Sequence, residues 1–304
     1  MRTNIWFNDK MFFSYGRYFS RPMGNLLYRN LEFDMGGGFP VIGNPKLEPE
    51  KTSAYEAGVK HAFKSQSTLE LKGFFKNVTG LTDSRAIYFT VRDWYAFYYN
   101  NDYGSIRGFE MTFTQRPLSL RYLGVGGMMS YTYSVAKNKS SSSFEGYITE
   151  WAGDVHPTEE TYTDWDQRHT VNFNLDVRTT KRLGTLLGDW RANFLGRYGS
   201  GMRWTPPKGQ DKAQLDNTEE MPYTFTVDVR ISKVFTVGGL NLEFMLDVRN
   251  IFNRKNVVDI ANEEWYAADQ DGNGEPDYDP EGKYDDPSVY SQGRVVRAIF
   301  GIDF

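Results

Sequence analysis

The sequence predicts an all-β fold, an antiparallel transmembrane β-barrel meander, and three observations predict it. About ten segments alternate apolar and polar residues with almost no sustained helical pattern. The connections between them alternate short and long, and Tyr and Phe crowd the segment ends, as in "MFFSYGRYF" and "MMSYTYS".

The alternating segments run at 10–19, 53–63, 68–77, 104–115, 121–135, 167–178, 189–199, 222–235, 240–250 and 293–304. In the second, Tyr55, Ala57, Val59, His61 and Phe63 share a face against Glu56, Gly58, Lys60 and Ala62. In the fourth, Phe109, Met111 and Phe113 oppose Glu110, Thr112 and Thr114, and in the sixth Val171, Phe173, Leu175 and Val177 oppose Thr170, Asn172, Asn174 and Asp176. The last, "VVRAIFGIDF", puts Val296, Ala298, Phe300, Ile302 and the terminal Phe304 on one face. Short links at "KSQS" (64–67), "RPLSL" (116–120), "TTKRLG" (179–184) and "VGG" (237–239) take turns with long ones near 20–52, 78–103, 136–166, 200–221 and 251–292. A barrel with tight turns at one rim and long loops at the other has this rhythm, with strands of about 10 residues that turn apolar side chains to lipid. A soluble all-β fold, its apolar face turned inward, is the competing reading.

Composition sets the bounds. The chain has 304 residues, 16% aromatic, a formal net charge of -4 and no cysteine, with a mean hydropathy of -0.58. Disulfides and thiolate metal sites are excluded, and the mild acidity gives no reason to expect nucleic acid. No window approaches the roughly 18 apolar residues of a spanning helix, and nothing near Met1 resembles a signal peptide. Either the protein is not exported or its true amino terminus lies upstream.

"GNPKLEPEKTSAYEAGV" (43–59), "NNDYGSIRGFE" (100–110), "DWDQRHTVNFNL" (164–175), "DVRNIFNRKNV" (247–257) and "RAIFGIDF" (297–304), in this order and spacing, resemble the carboxyl-terminal barrel segments of TonB-dependent outer-membrane receptors. The resemblance implies a barrel of about 22 strands around an amino-terminal plug, of which residues 1–304 are the carboxyl-terminal portion of one barrel domain. Neither plug nor TonB box is visible here. It further implies a place in the outer membrane, with long loops extracellular and the carboxyl terminus periplasmic. The expected function is TonB-energised uptake of a scarce nutrient: siderophore, cobalamin, oligosaccharide or peptide. Expected partners are outer-membrane lipid, the barrel-assembly machinery that reads the terminal Phe304, the TonB complex through the missing amino-terminal region, and the nutrient itself. A small self-contained barrel acting as pore or adhesin is the alternative.

An outer-membrane barrel enzyme is the weakest reading, because the chemistry is sparse. His61, His156 and His169 are scattered, no nucleophile elbow or Ser-His-Asp pattern occurs, and the chain reads as no enzyme. "NPKLEPEK" reads as an extended lead-in to the second strand, stiffened by Pro45 and Pro49. Arg107 and Arg168 are expected at the lumen or its mouth beside acidic neighbours. One motif is sharper: "DQDGNGEPD" sets oxygen donors at Asp269, Asp271, Asn273, Glu275 and Asp277 in the alternating positions of a calcium loop, although Pro280 stands where a closing Glu belongs. It is a structural calcium site or a solvated acidic turn. Arg92, Trp94, Tyr95, Tyr98 and Tyr99, with Trp151, Trp165 and Trp265 in later loops, are candidates for ligand stacking, against the reading that they pack loop on loop.

Overall fold

The computed structural model describes residues 9–34, 40–63, 66–90, 93–139, 143–153, 159–206, 216–237, 239–260 and 287–303. Ten long strands appear where the alternation places them: β1 (Asp9–Ser20), β2 (Glu50–Ala62), β3 (Ser67–Tyr88), β4 (Trp94–Ser119), β5 (Leu123–Asn138), β6 (His169–Thr179), β7 (Arg191–Gly199), β8 (Thr224–Val237), β9 (Leu240–Arg249) and β10 (Val295–Asp303). Each pairs antiparallel with its neighbour in sequence, in the order β1 to β10, so the sheet is an uninterrupted meander. No helix among the described residues is long and apolar enough to cross a membrane, which bears on helical spans only.

The register separates two chemistries. Met11, Val59, Leu71, Met111, Tyr131, Val171, Tyr198 and Phe225 follow one another across eight strands on one face. Tyr15, Tyr55 and Phe75 stack along the same face at 5.0 and 6.4 Å between ring centroids, and Phe244 meets Phe300 at 5.4 Å. Many of these side chains stay exposed, Phe13, Leu71, Phe109 and Phe300 among them. A contiguous apolar surface of that extent suits lipid and not water.

The opposite face carries charge. Lys72 Nζ reaches Glu110 at 2.8 Å and Lys60 reaches Glu70 at 3.0 Å. Further round, Asp176, Asn193, Arg230, Asp247 and Arg297 form one row over five strands. Asn193 donates to Asp176 at 2.8 Å and Arg230 to Asp247 at 3.3 Å. Cross-strand pairs of opposite charge hold register, and a one-residue slip would turn each of these groups into the apolar face.

Three sequence expectations change. The span 78–103 is mostly strand: β3 and β4 run 22 and 26 residues, and past Tyr88 the Phe89 N–H still donates to the Asp93 carbonyl at 3.1 Å. The ladder shifts register around Gly80 and Leu81, with Gly80 at φ 71, which marks where the membrane-length part gives way to a hairpin that continues beyond it. Alternation misses this because turn-type residues, Gly80, Asp83 and Ser84 in one strand and Asn100, Asn101 and Asp102 in the other, interrupt the period of two. Second, Arg107 is not on the charged face. It stands opposite Phe75 and Val135, two residues from Phe109, and so shares the aromatic face. Third, the short link at 179–184 extends to Trp190 and contains a 3-10 turn, Lys181–Leu183, and a helical turn, Gly184–Leu187.

Candidate ligand-binding rim

The long connections gather at one rim of the sheet, and two packed assemblies shape it. The first caps the tall hairpin. After β1 the chain makes α1 (Gly24–Tyr28), and the two-residue strand Val41–Ile42 then pairs parallel with Ala96 and Phe97 of β4. Leu26, Val41, Leu47, Trp94, Ala96 and Tyr98 bury one another, with Phe144 and Tyr147 packed against them. The lead-in to β2 is tied by side-chain amides: Asn44 Nδ2 donates to the Tyr98 carbonyl at 2.8 Å, and Asn100 Oδ1 accepts from Glu48 N at 2.8 Å. The structural reading of "NPKLEPEK" therefore has physical content, since the N–H and carbonyl of Glu48 are both bonded to the Asn100 side chain of the hairpin.

The helix α2 (Glu145–Ala152) docks on the same hairpin. Asp83 Oδ1 accepts from Ser84 N at 2.7 Å and Gly146 N at 3.0 Å, while Ser84 Oγ accepts from Tyr147 N at 2.9 Å. Asp83, Ser84 and Asp102 are buried, and Lys139 Nζ donates to Asp102 at 3.2 Å. Buried carboxylates survive only with such partners.

The second assembly centres on Tyr162. Its ring has Arg168, Lys137 and Arg203 at 4.4, 4.6 and 4.9 Å from the centroid. Asp166, buried beneath, accepts from Arg168 Nε at 2.8 Å and from the Ala136 N–H at 2.7 Å. The expected acidic neighbour of Arg168 is thus Asp166. The hydrogen bond from Arg168, opposed by burial and joined by the charges of Lys137, Arg168 and Arg203, pulls the Tyr162 phenol below its ordinary value.

Beside this cluster opens a cavity of about 530 Å³ lined by Trp165, Trp204, Met202, Met221, Arg203, Asn217, Asp164, Asp216 and Asp259 among others. That volume is in the range of small-ligand sites. Arg203 and Trp204 enter it from a two-residue strand that pairs with Glu219–Glu220. Asn217, at φ 57, donates its side-chain amide to the Tyr162 carbonyl at 2.7 Å, which ties the cavity wall to the tyrosine cluster. Two indoles with carboxylates and an amide offer stacking and hydrogen bonding to one guest.

The candidates read from the sequence separate accordingly. Trp94 and Tyr98, 6% and 0% exposed, are core of the hairpin cap. Tyr95 and Tyr99 are half-buried on the same strand. Trp151, 67% exposed, stands on α2, away from the cavity lining, and Trp165, 54% exposed, lines the cavity. Arg92, Trp265, the acidic loop with Asp269, Asp271, Asn273, Glu275 and Asp277, and Phe304 fall outside the described residues. Among the described residues no group of three or more His, Asp or Glu side chains is arranged to hold a metal. His61 meets Asp9, and His169 meets the Tyr131 hydroxyl at 2.9 Å, both on the aromatic face near strand ends. Sequence reasoning missed Arg203, Trp204 and Asn217. The one available signal was a Trp between Arg and Thr-Pro in the long connection 200–221.

A meander with one lipid-compatible face, one charged face and all long connections at one rim defines the wall of a transmembrane β-barrel. The chain belongs to the family described as TonB dependent receptor-like, beta-barrel, whose model matches residues 5–251. It is a family of outer-membrane receptor barrels. In fold the chain is similar to the outer membrane transporter YddB from Escherichia coli, with a TM-score of 0.64 at 14% identity over 95% of this chain and 38% of that one. It is also similar to the FrpB iron transporter from Neisseria meningitidis (TM-score 0.57, 14% identity, 99% and 37%). A third likeness is FpvA of P. aeruginosa in complex with heterologous pyoverdine (TM-score 0.56, 11% identity, 99% and 31%). The chain therefore spans under two fifths of the length of these structures. No curated protein matches it in sequence.

Proposed function

We propose that this chain forms the carboxyl-terminal ten strands of an outer-membrane receptor that takes up a scarce nutrient, a siderophore, cobalamin, oligosaccharide or peptide, with energy delivered through TonB. The observation that carries the reading is the family match over residues 5–251 on a sheet whose two edge strands, β1 and β10, are each paired on one side only among the described residues. In lipid each edge needs a neighbouring strand, because no backbone group is left unpaired there. Further strands supply it, as in a barrel larger than ten. In this reading the long connections face outward, the carboxyl terminus is periplasmic, and the cavity beside Trp165 and Trp204 receives the ligand at the mouth. The lysine-carboxylate face lines the lumen.

The experiment is growth of a strain lacking the whole protein on limiting iron, cobalamin, oligosaccharide or peptide. One condition is expected to show a defect that the wild-type gene restores only where TonB is present. A defect restored without TonB would favour the pore, and no defect in any condition together with lost surface attachment would favour the adhesin.

A further inference from the structure

Lys233 is on the wrong face of its strand. Val229, Ile231, Lys233 and Phe235 alternate on β8, and the register sets Lys233 opposite Phe244 in the aromatic surface that the barrel reading turns to lipid. A lysine there is costly unless its charge is answered. It is 3% exposed, and its ammonium donates to three backbone carbonyls, of Thr185 at 2.5 Å, Leu186 at 2.8 Å and Gly188 at 2.8 Å. All three belong to the helical turn Gly184–Leu187 and the residue that ends it, where carbonyls lack helical partners and carry partial negative charge. The indole of Trp190 lies under the same ammonium at 5.4 Å, donates its Nε1–H to Leu186 O at 2.8 Å, and meets Phe235 and Phe244 edge-on at 6.4 and 6.3 Å.

The β6–β7 connection is thereby folded against the outer wall at the short-turn rim. A Cβ on Gly188 would come within 2.5 Å of the Gly184 carbonyl, so the clasp needs glycine at that point. What the clasp presents is Leu186 and Leu187, 76% and 64% exposed, with Lys181 and Arg182 just before them. Two bare leucines, a tryptophan and two cations, continuous with the lipid-facing surface, have the composition of an interfacial anchor.

We infer that residues 181–190 form a lipid-binding foot: Leu186 and Leu187 enter the acyl boundary of the inner leaflet, Trp190 lies at headgroup depth, and Arg182 faces the lipid phosphates, while Lys181, 3.9 Å from Asp189, adds positive charge at the same edge. The inference rests on the barrel reading and its orientation, and the test separates the two. The chain has no cysteine, so Leu187→Cys, Met111→Cys and Asn241→Cys each take a single nitroxide label once any cysteine elsewhere in the whole receptor is replaced by serine; the receptor is reconstituted in phosphatidylethanolamine and phosphatidylglycerol vesicles. Met111 is on the outward row, and Asn241 is beside Thr236 on the charged face near the same rim.

The ratio of label relaxation by oxygen to relaxation by a water-soluble nickel chelate is expected to be several-fold higher at Leu187 than at Asn241. In the background of Gly188→Ala or Lys233→Met it is expected to fall toward the Asn241 value while Met111 is unchanged. A Leu187 label as open to the chelate as Asn241, with Met111 still in lipid, overturns the foot, and a ratio unmoved by both variants overturns the clasp. Should Met111 itself be open to the chelate, the barrel reading beneath the inference fails.

Discussion

At Tyr162 one residue collects three cations, and the consequence is a phenol that ionises early. Arg168 donates to it, and Lys137 and Arg203 stand over the same ring. A titration followed by phenolate absorbance should show one tyrosine deprotonating ahead of the bulk near pH 10, and Tyr162→Phe should remove that step. The stability linkage has a definite sign. The folded value lies below the unfolded one, so the gain is present above about pH 10 and is lost as pH falls through the folded value. Neutral-pH stability should be unmoved by this group's titration. Asp166 acts differently: Asp166→Ala leaves the Ala136 N–H and the Arg168 guanidinium short of an acceptor, an expected loss of about 1–3 kcal/mol in urea unfolding.

Strands set the next scale. Phe173 stands opposite Met129 and Gly196 on the aromatic face, its ring so close over Gly196 that a Cβ there would meet it at 1.9 Å. Phe173→Arg should cost about 2–4 kcal/mol if near the midplane, and Asn174→Arg on the charged face less. A reversed ranking in folding titrations would mean that the sheet is inside out. On the tall hairpin, Trp94→Ala empties the cap core and should cost about 3–5 kcal/mol of local stability. Hydrogen exchange should rise around 26–47 and 94–98 without change in β6 to β10. Ten strand positions were legible because the period of two repeats for long enough to be counted. The hairpin extension was not, since the aromatic run 94–99 opposes the polar Thr82–Arg85 without an apolar-polar alternation, and its inner packing comes from α1 and α2, distant in sequence.

For the whole molecule, the expected arrangement has one side reachable from outside. With Glu219→Cys on a long connection and Ser119→Cys at a short turn, a membrane-impermeant thiol reagent added to intact cells should label the first and spare the second. Equal labelling would overturn the orientation. By itself the sequence determined the meander, the lipid face and the family resemblance, because alternation and loop length are local properties written along the chain. Only the tertiary structure decided which aromatics serve packing and which line a cavity. Trp94 and Trp165 read alike in sequence, yet α1 and the strand Val41–Ile42 fold over the first and leave the second open. It also decided that Lys233 turns outward and is answered by carbonyls more than 40 residues away. Burial and charge compensation depend on which segments meet in space, and no local period encodes that.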